Sequence, residues 1–402
     1  MLKKTFNISH LFSGFSAVLV GYSSSVFIII QAATSAGASA AQIGSWLLTL
    51  GIATGLATIL FSWFYKAPIL TAWSTPGAVI LVTGATQYGL AVVIGAFVVS
   101  AILIILTGLI TPLSRMLERI PAQLATAMLG AILLPFCLKA FIPLMDNPLI
   151  FFSMFVSFFT GKRYFPRYSM VLLLTTGIIC AIMTGAFTDQ EIILSVAQPS
   201  WVTPEFDLRA MINLSIPLYV ITMLSQNLPG IVMIRSYQYE TPVKPLLIGT
   251  GLANLLAAPF GGFSVNLAAI SAAICMNEEA DPDKTVRYRA AIWAGIFYLI
   301  AGVFATTLVD IFLFLPAGIT DILAGLALLG TLQMCLQTAF EKENFRESAL
   351  LTFLLTMSGA TLLGIGSTLW GLLAGLIHIQ LTKNTQKIKI TAKKAKTIQS
   401  IE

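Results

Sequence analysis

Long apolar runs separated by short charged or Pro/Gly-rich breaks fill this chain from residue 11 to residue 381. An α-helix needs about 20 apolar residues to cross a bilayer. Only 10% of the 402 residues are charged and 57% are hydrophobic, whereas about a quarter of the residues of an average soluble domain are charged. We therefore expect an all-α polytopic membrane protein.

Two of the apolar stretches contain residues that a continuous spanning helix does not use. Residues 71–80 read TAWSTPGAVI, and residues 258–270 read APFGGFSVNLAAI. Proline and glycine leave backbone groups that hydrocarbon cannot satisfy, so each stretch predicts a broken span beside a polar cavity. One interrupted segment in each half of a chain is typical of a secondary transporter's substrate site. The alternative is a pair of kinks repaired by neighbouring helices.

The two breaks also predict where short helices begin. We expect half-helices to start near Thr75 and near Ser264. Free N–H groups at a helix start favour an anion, so the pattern predicts an anionic substrate between them.

Division at the charged and Pro/Gly-rich breaks predicts about fourteen spans, seven in each half. The predicted spans are 11–33, 43–64, 69–83, 89–110, 121–141, 149–160 and 169–187, then 211–234, 245–258, 259–275, 288–309, 312–340, 348–363 and 366–381. With a cytoplasmic N-terminus, this count places every basic residue except Lys139 and Arg209 on the cytoplasmic side, together with the C-terminus. Because seven is odd, the two halves form an inverted repeat.

Three groups of residues resemble the benzoate membrane transport protein (BenE) family of bacterial inner-membrane proteins. They are AWSTPG at 72–77, SQNLPG at 225–230, and PFGG at 259–262 followed by NLAAI at 266–270. The likeness covers most of the chain. It implies symport of benzoate or a similar aromatic carboxylate with a proton, without a cofactor. It also implies the fold of nucleobase permeases and anion exchangers, in which spans three and ten each contribute a short strand and then a half-helix.

The resemblance also implies a core domain that moves against a gate domain. The predicted segments are core 1–110 with spans 1–4, gate 111–187 with spans 5–7, an outer linker at 188–210, core 211–309 with spans 8–11, gate 310–382 with spans 12–14, and a basic cytoplasmic tail at 383–402.

A benzoate-like ligand needs donors for its carboxylate and an apolar slot for its ring. Small polar side chains and backbone N–H groups at the breaks are the candidate donors, and nearby aromatic rings are candidate walls. Such aromatic residues otherwise pack in the core or face lipid, and mid-span amides otherwise join helices. The candidate substrate-binding residues are Tyr22, Trp73, Ser74, Thr75, Gly77, Gln226, Asn227, Phe260, Gly262, Phe263, Ser264 and Asn266.

Ionisable groups are scarce near the candidate site. Phe263 stands where the family often has a histidine, and neutral Gln226 and Asn266 stand roughly where nucleobase permeases of this fold have glutamates. The proton route is therefore open, and transport of the substrate in its protonated form is one solution.

A uracil- or xanthine-type permease and an anion channel remain alternatives. An enzyme is disfavoured, because the chain lacks HExxH, Gly-x-Ser-x-Gly and Walker-type motifs.

The four cysteines lie far apart without metal-ligand spacing. The net charge of +6 comes largely from the lysine-rich tail, which predicts contact with anionic lipid rather than nucleic acid. The oligomeric state is open, with a homodimer among the possibilities.

Overall fold

The computed structural model describes residues 7–110, 120–185, 194–240, 242–362 and 366–382. These ranges are mainly helical, with two short strands. The predicted basic tail and residues 188–193 of the predicted linker lie outside the described residues.

The helices and strands follow the predicted order of apolar stretches. In the first half they are α1 (Ile8–Ser35), α2 (Ala40–Tyr65), β1 (Thr71–Trp73), α3 (Thr75–Gly84), α4 (Leu90–Leu109), α5 (Ala122–Lys139), α6 (Pro148–Tyr164) and α7 (Ser169–Met183). In the second half they are α8 (Leu208–Ser236), α9 (Val243–Ala257), β2 (Val265–Leu267), α10 (Ile270–Met276), α11 (Tyr288–Val303), α12 (Ala305–Phe314), α13 (Ala317–Glu341), α14 (Arg346–Met357) and α15 (Ser367–Thr382).

Seven helices among the described residues are long and apolar enough to cross a membrane. The number is up to eight if the two parts of α1, which bends by 42° between Tyr22 and Ser25, count as one span. The seven are Ala40–Tyr65, Leu90–Leu109, Ala122–Asp146, Leu208–Ser236, Val243–Phe260, Lys284–Val303 and Ala317–Glu341. The count of about fourteen spans stays a prediction.

Three predicted boundaries are wrong. The second half-helix begins at Ile270 rather than near Ser264, because residues 265–267 are extended and pair with β1. The predicted span 288–309 ends at Val303, and the next long helix begins at Ala317 rather than at residue 312. Pro316 explains the later start, since the residue before a proline favours extended backbone.

Glycines bring α2 and α11 into close contact. A Cβ on Gly51 would lie 2.7 Å from the Cα of Gly302, and a Cβ on Gly55 would lie 2.7 Å from the carbonyl oxygen of Gly295. Such small residues let helix backbones approach in a membrane, where the hydrophobic effect does not drive helices together. Helices α4 and α9 pack in the same way, with Gly251 of α9 against the backbone of α4.

The chain divides into two compact units. The first comprises Met1–Leu117 and Leu133–Gly330, and it contains both strands. The second comprises Glu118–Ile132 and Thr331–Glu402. Its described residues have a small core of Ala127, Ala339 and Ala349, against which Phe340 and Phe353 pack.

Candidate functional site

The two interrupted stretches meet as an antiparallel ribbon. Thr71 pairs with Leu267, Ala72 with Asn266, and Trp73 with Val265. Ser74 directly follows Trp73, and Ser264 directly precedes Val265, so both serines flank the same register pair. The prediction that the broken spans come together is therefore confirmed.

Strand β1 is held by hydroxyl groups on one face of α2. The Thr58 hydroxyl accepts from the N–H of Thr71 at 2.9 Å, and the hydroxyl of Thr71 donates to the carbonyl of Thr54 at 2.8 Å. Ser62 bonds both the N–H and the carbonyl of Ile69, at 3.1 and 3.0 Å. The spacing of four residues places Thr54, Thr58 and Ser62 on one helix face, and all three are buried; Thr54 contributes its backbone carbonyl and the other two their hydroxyls.

Strand β2 is held by two asparagines on separate helices. Asn254 of α9 accepts from the N–H of Val265 at 2.5 Å and donates to its carbonyl at 2.8 Å. Asn227 of α8 accepts from the N–H of Leu267 at 3.0 Å. The backbone of α8 also approaches closely, because a Cβ on Gly230 would lie 2.5 Å from the Cβ of Leu267.

The first turn of α3 uses most of its own donors. The Ser74 hydroxyl accepts from the N–H of Gly77 at 3.0 Å, and the Ser74 carbonyl accepts from the N–H of Ala78 at 2.9 Å. Pro76 has no N–H. Within α3 itself, the first turn therefore leaves at most the N–H of Thr75 for a ligand. Ser74 is a buried N-cap, which satisfies the helix start internally.

Trp73 lies in a group of three buried aromatic rings. Its ring contacts Tyr22 of α1 edge to face, with centroids 4.7 Å apart, and Tyr298 of α11 at 5.9 Å. Its indole N–H donates to the hydroxyl of Ser25 at 2.8 Å. The Tyr22 hydroxyl is buried and has no partner among the described residues.

Phe263 packs in a second aromatic group. Its fully buried ring stacks on Phe97 at 5.1 Å and meets the edge of Trp46 at 5.8 Å. Gly261 has φ of +90°, and a Cβ there would overlap the Trp46 ring, so this position needs glycine. Gly262 is buried beside it. These contacts enclose Phe263 in protein, and its predicted role as a ligand wall stays a prediction.

Phe260 lies at the end of α9 beside the linker that joins the two halves. Its ring meets that of Trp201 at 5.3 Å, and its carbonyl accepts from the Ser45 hydroxyl at 3.0 Å. The N–H of Val202 donates to the carbonyl of Pro259 at 2.8 Å. The described part of the linker thus packs along the ends of α2 and α9.

Gln226 and Asn227 lie in a π-helical segment of α8, Thr222–Asn227. Such segments are frequent at functional sites, because an inserted residue shifts the direction of the side chains. Asn227 is fully buried and bonded to β2, whereas Gln226 is partly exposed. Of the two amides, Gln226 is therefore the one available to a ligand.

The far end of α10 is joined to α1 by charged groups. Buried Arg287 donates to the carbonyl of Met276, the last residue of α10, at 2.7 Å, and to the carbonyl of Asp281 at 2.6 Å. The Asp281 carboxylate contacts His10 at 2.9 Å and accepts from Asn7 at 3.0 Å. These contacts connect the loop after the broken span to the start of α1.

Several residues that position the site were missed from the sequence. Asn254 clamps β2, Thr58 supports β1, and Tyr298 completes the aromatic group around Trp73. Two sequence patterns could have identified them: hydroxyl residues four apart in the apolar α2, and a single asparagine in the apolar α9. Among the described residues, no group of three or more His, Cys, Asp or Glu is placed to hold a metal ion.

Residues 4–381 match the family model described as benzoate membrane transport protein, BenE. The chain belongs to the benzoate membrane transport protein family. It is 44% identical over 365 residues to the inner membrane protein YdcO of Escherichia coli (strain K12), covering 91% of this chain and 93% of that protein. It is 36% identical over 376 residues to the benzoate membrane transport protein of Acinetobacter baylyi (strain ATCC 33305 / BD413 / ADP1), covering 94% and 95%. This BenE-family chain is therefore a membrane transport protein, not an enzyme.

Solved structures of a bicarbonate transporter and of SLC26A9 share the fold of this chain. The transmembrane domain of the cyanobacterial bicarbonate transporter BicA matches with a TM-score of 0.61 at 16% identity, covering 92% of this chain and 97% of that one. SLC26A9 matches with a TM-score of 0.61 at 14% identity, covering 95% and 66%. At these identities the likeness concerns the fold alone.

Proposed function

We propose that this BenE-family protein is a secondary active transporter that imports benzoate or a related aromatic carboxylate with a proton across the bacterial inner membrane. The observation that carries the proposal is the β1–β2 ribbon. It brings the two broken spans together, and among the described residues the buried Ser264 hydroxyl and Asn266 side-chain carbonyl have no hydrogen-bond partner. The proposed substrate class, aromatic carboxylates, follows from the name of the Acinetobacter relative, benzoate membrane transport protein.

The surroundings of the ribbon suit a ligand with a ring and a polar group. Tyr22 and Trp73 are candidate apolar neighbours for the ring, because their planes already meet edge to face. Partly exposed Gln226 and Thr75 are candidate polar contacts. The other candidate residues, including Ser74, Gly77 and Asn227, support these positions through the contacts described above.

The proposed motion is that of a core domain, spans 1–4 and 8–11, against a gate domain made from the remaining spans. Every side-chain bond to the ribbon described above comes from α1, α2, α8 or α9, all of which are in the proposed core. A substrate bound to the ribbon would therefore travel with the core. The distribution of basic residues supports a cytoplasmic location for both termini.

Uptake of radiolabelled benzoate into proteoliposomes tests the function. We expect saturable uptake that is driven by an acidic exterior, after subtraction of benzoic acid diffusion into protein-free vesicles. Flux that neither saturates nor responds to the pH gradient would favour the anion channel. Competition by uracil rather than by benzoate would favour the nucleobase permease.

A bulkier residue at Ser264 tests the site. Ser264 has φ of +48°, a conformation that asparagine tolerates better than most side chains. Ser264→Asn therefore adds volume with little backbone strain, and we expect it to abolish uptake in a correctly inserted protein. Gln238→Asn is the matched control, because Gln238 has φ of +60° at an exposed position. Normal uptake by the Ser264→Asn variant would mean that the ribbon is not part of the substrate site.

A further inference from the structure

Two buried polar atoms at the start of β2 have no partner among the described residues. They are the hydroxyl oxygen of Ser264 and the side-chain carbonyl oxygen of Asn266. The Ser264 side chain is 4% exposed and that of Asn266 is 0% exposed. Most buried polar side-chain atoms in proteins are hydrogen-bonded, so an unpaired donor and an unpaired acceptor this close in sequence need an explanation.

The free atom of Asn266 is an acceptor, and its orientation is determined by its own backbone. The amide nitrogen of Asn266 donates to the carbonyl of Ser264 at 2.7 Å. Turning the amide over would place two acceptor oxygens against each other. The same bond holds the Asn266 amide, in β2, against the backbone of Ser264, the residue that carries the free hydroxyl.

A carboxylate does not match this pair of groups. It only accepts hydrogen bonds, so one of its two oxygens would face the Asn266 carbonyl. A protonated carboxylic acid does match, because its carbonyl accepts from the Ser264 hydroxyl while its O–H donates to the Asn266 carbonyl. Ala72, the register partner of Asn266 on the same face of the ribbon, presents only a methyl group there.

The helices around the ribbon contain no acidic side chain that could carry the proton that is transported with the substrate. Helices α1–α4 and α8–α11, together with both strands, contain no aspartate or glutamate. The rings of Tyr22 in α1 and Tyr298 in α11 contact Trp73 of β1, and the starts of these two helices carry His10, Tyr288 and Arg289. The titratable or charged residues of α2, α8 and α9, which also pack against the strands, are Tyr65 in α2, Arg209, Tyr219 and Arg235 in α8, and Lys244 in α9. Tyr219 is bonded to Thr107, and the other four lie at helix ends.

From these observations, we propose that Ser264 and Asn266 bind the substrate as its neutral, protonated acid. The proton then crosses the membrane on the substrate carboxyl group. It is taken up with the substrate on the more acidic side and released with it on the other side, without a proton-carrying residue. Asn266 becomes the residue that selects the protonated form. This inference rests on the proposed benzoate transport.

Binding of benzoate and benzamide to the purified wild-type protein across pH tests the proposal. Benzamide is neutral and offers one carbonyl acceptor and N–H donors, as the protonated acid offers a carbonyl and an O–H. Well above the pKa of the acid, we expect the apparent affinity for benzoate to fall about tenfold per pH unit, because the competent fraction falls by that factor. Benzamide should compete with benzoate, and its affinity should not change with pH.

Two variants separate binding from structural support. Ser264→Ala removes only the hydroxyl donor. The affinity for benzoate and for benzamide should therefore fall about tenfold, while the dependence of benzoate affinity on pH is retained. Asn266→Leu removes the acceptor at similar volume, so the preference for the protonated acid and for benzamide should disappear. Thr107→Val is the structural control, since it removes a buried bond to Tyr219 that is not part of the ribbon, and it should lower stability without changing the pH slope of the remaining folded protein.

The outcomes distinguish this inference from the proposed function. Benzoate affinity that does not depend on pH, or an absence of competition by benzamide, would overturn the inference and leave benzoate transport intact. If neither benzoate nor benzamide binds at any pH, both the inference and the proposed benzoate transport are overturned.

Discussion

Adding one methyl group at Gly230 should disturb the ribbon more than the same change elsewhere. Gly230 is a buried position of α8, and its added Cβ would lie 2.5 Å from the Cβ and 2.9 Å from the carbonyl oxygen of Leu267. Neither contact can be relieved by turning a flexible side-chain end. The added atom would therefore push β2 away from α8.

Gly330 provides the matched control. It also lies in a helix, α13, but it is exposed, and a Cβ there would meet nothing within 4 Å. Glycine to alanine in a helix interior gains about 1 kcal/mol of helix propensity at either position, so this gain cancels when the two variants are compared. What remains is the cost of overpacking at Gly230, about 1–3 kcal/mol. Loss of the bond from the Leu267 N–H to Asn227 adds about 1 kcal/mol.

We therefore expect Gly230→Ala to be less stable than Gly330→Ala by about 2–4 kcal/mol. Thermal unfolding of the two detergent-solubilised variants measures the difference, and benzoate uptake should fall only in Gly230→Ala. Equal melting temperatures for the two variants would refute the reasoning, because they would mean that β2 is not packed against α8 at this point.

Three further changes test individual bonds. Asn254→Leu leaves the N–H and carbonyl of Val265 buried without partners, and denaturant unfolding should show a loss of about 2–6 kcal/mol; a loss below that range would mean that β2 finds other partners. Trp73→Phe keeps an aromatic ring but loses the bond to Ser25, so thermal unfolding should show a loss of about 1 kcal/mol, and unchanged stability would contradict it. In the loop after α10, the hydroxyl and the backbone N–H of Thr285 donate hydrogen bonds to the Asp283 carboxylate and lower its pKa. Its stabilising effect should be complete above the ordinary carboxyl pKa and disappear as pH falls through the lowered pKa, so the stability difference from Asp283→Asn should vanish in acid.

The sequence predicts the helices well because their signal is simple. Apolar runs bounded by charge, proline or glycine place most helix ends close to those observed, as for α2 and α4. The two breaks at residues 71–80 and 258–270 are equally visible. Their pairing is a different matter, since nothing local shows that residues 265–267 are extended before the helix begins at Ile270. That geometry depends on Asn227, Asn254 and β1, which are distant in sequence.

The donors at the start of α3 show a second limit of sequence reasoning. The pattern Ser-Thr-Pro-Gly predicts a helix start, and α3 begins at Thr75 as expected. It also suggests free N–H groups for an anion, yet the Ser74 side chain and carbonyl take up two of them and Pro76 supplies none. The same residue type that marks a helix start also satisfies it, so a capping motif alone does not predict a ligand.

The contacts around the ribbon support the inverted repeat and also show where its halves differ. If spans 2 and 9, 3 and 10, and 4 and 11 correspond, then α2 against α11 becomes α9 against α4, and both pairs are observed. In the same way, α2 holds β1 and α9 holds β2. The chemistry is not repeated, however. On β1, the Thr71 hydroxyl is satisfied by α2. On the β2 side, Asn254 satisfies the backbone of Val265, but Ser264 and Asn266 each keep one buried atom that has no partner in the described part of the chain. Since the halves share their architecture, this difference in polar satisfaction argues that the second broken span carries the specificity and the first mainly supports it.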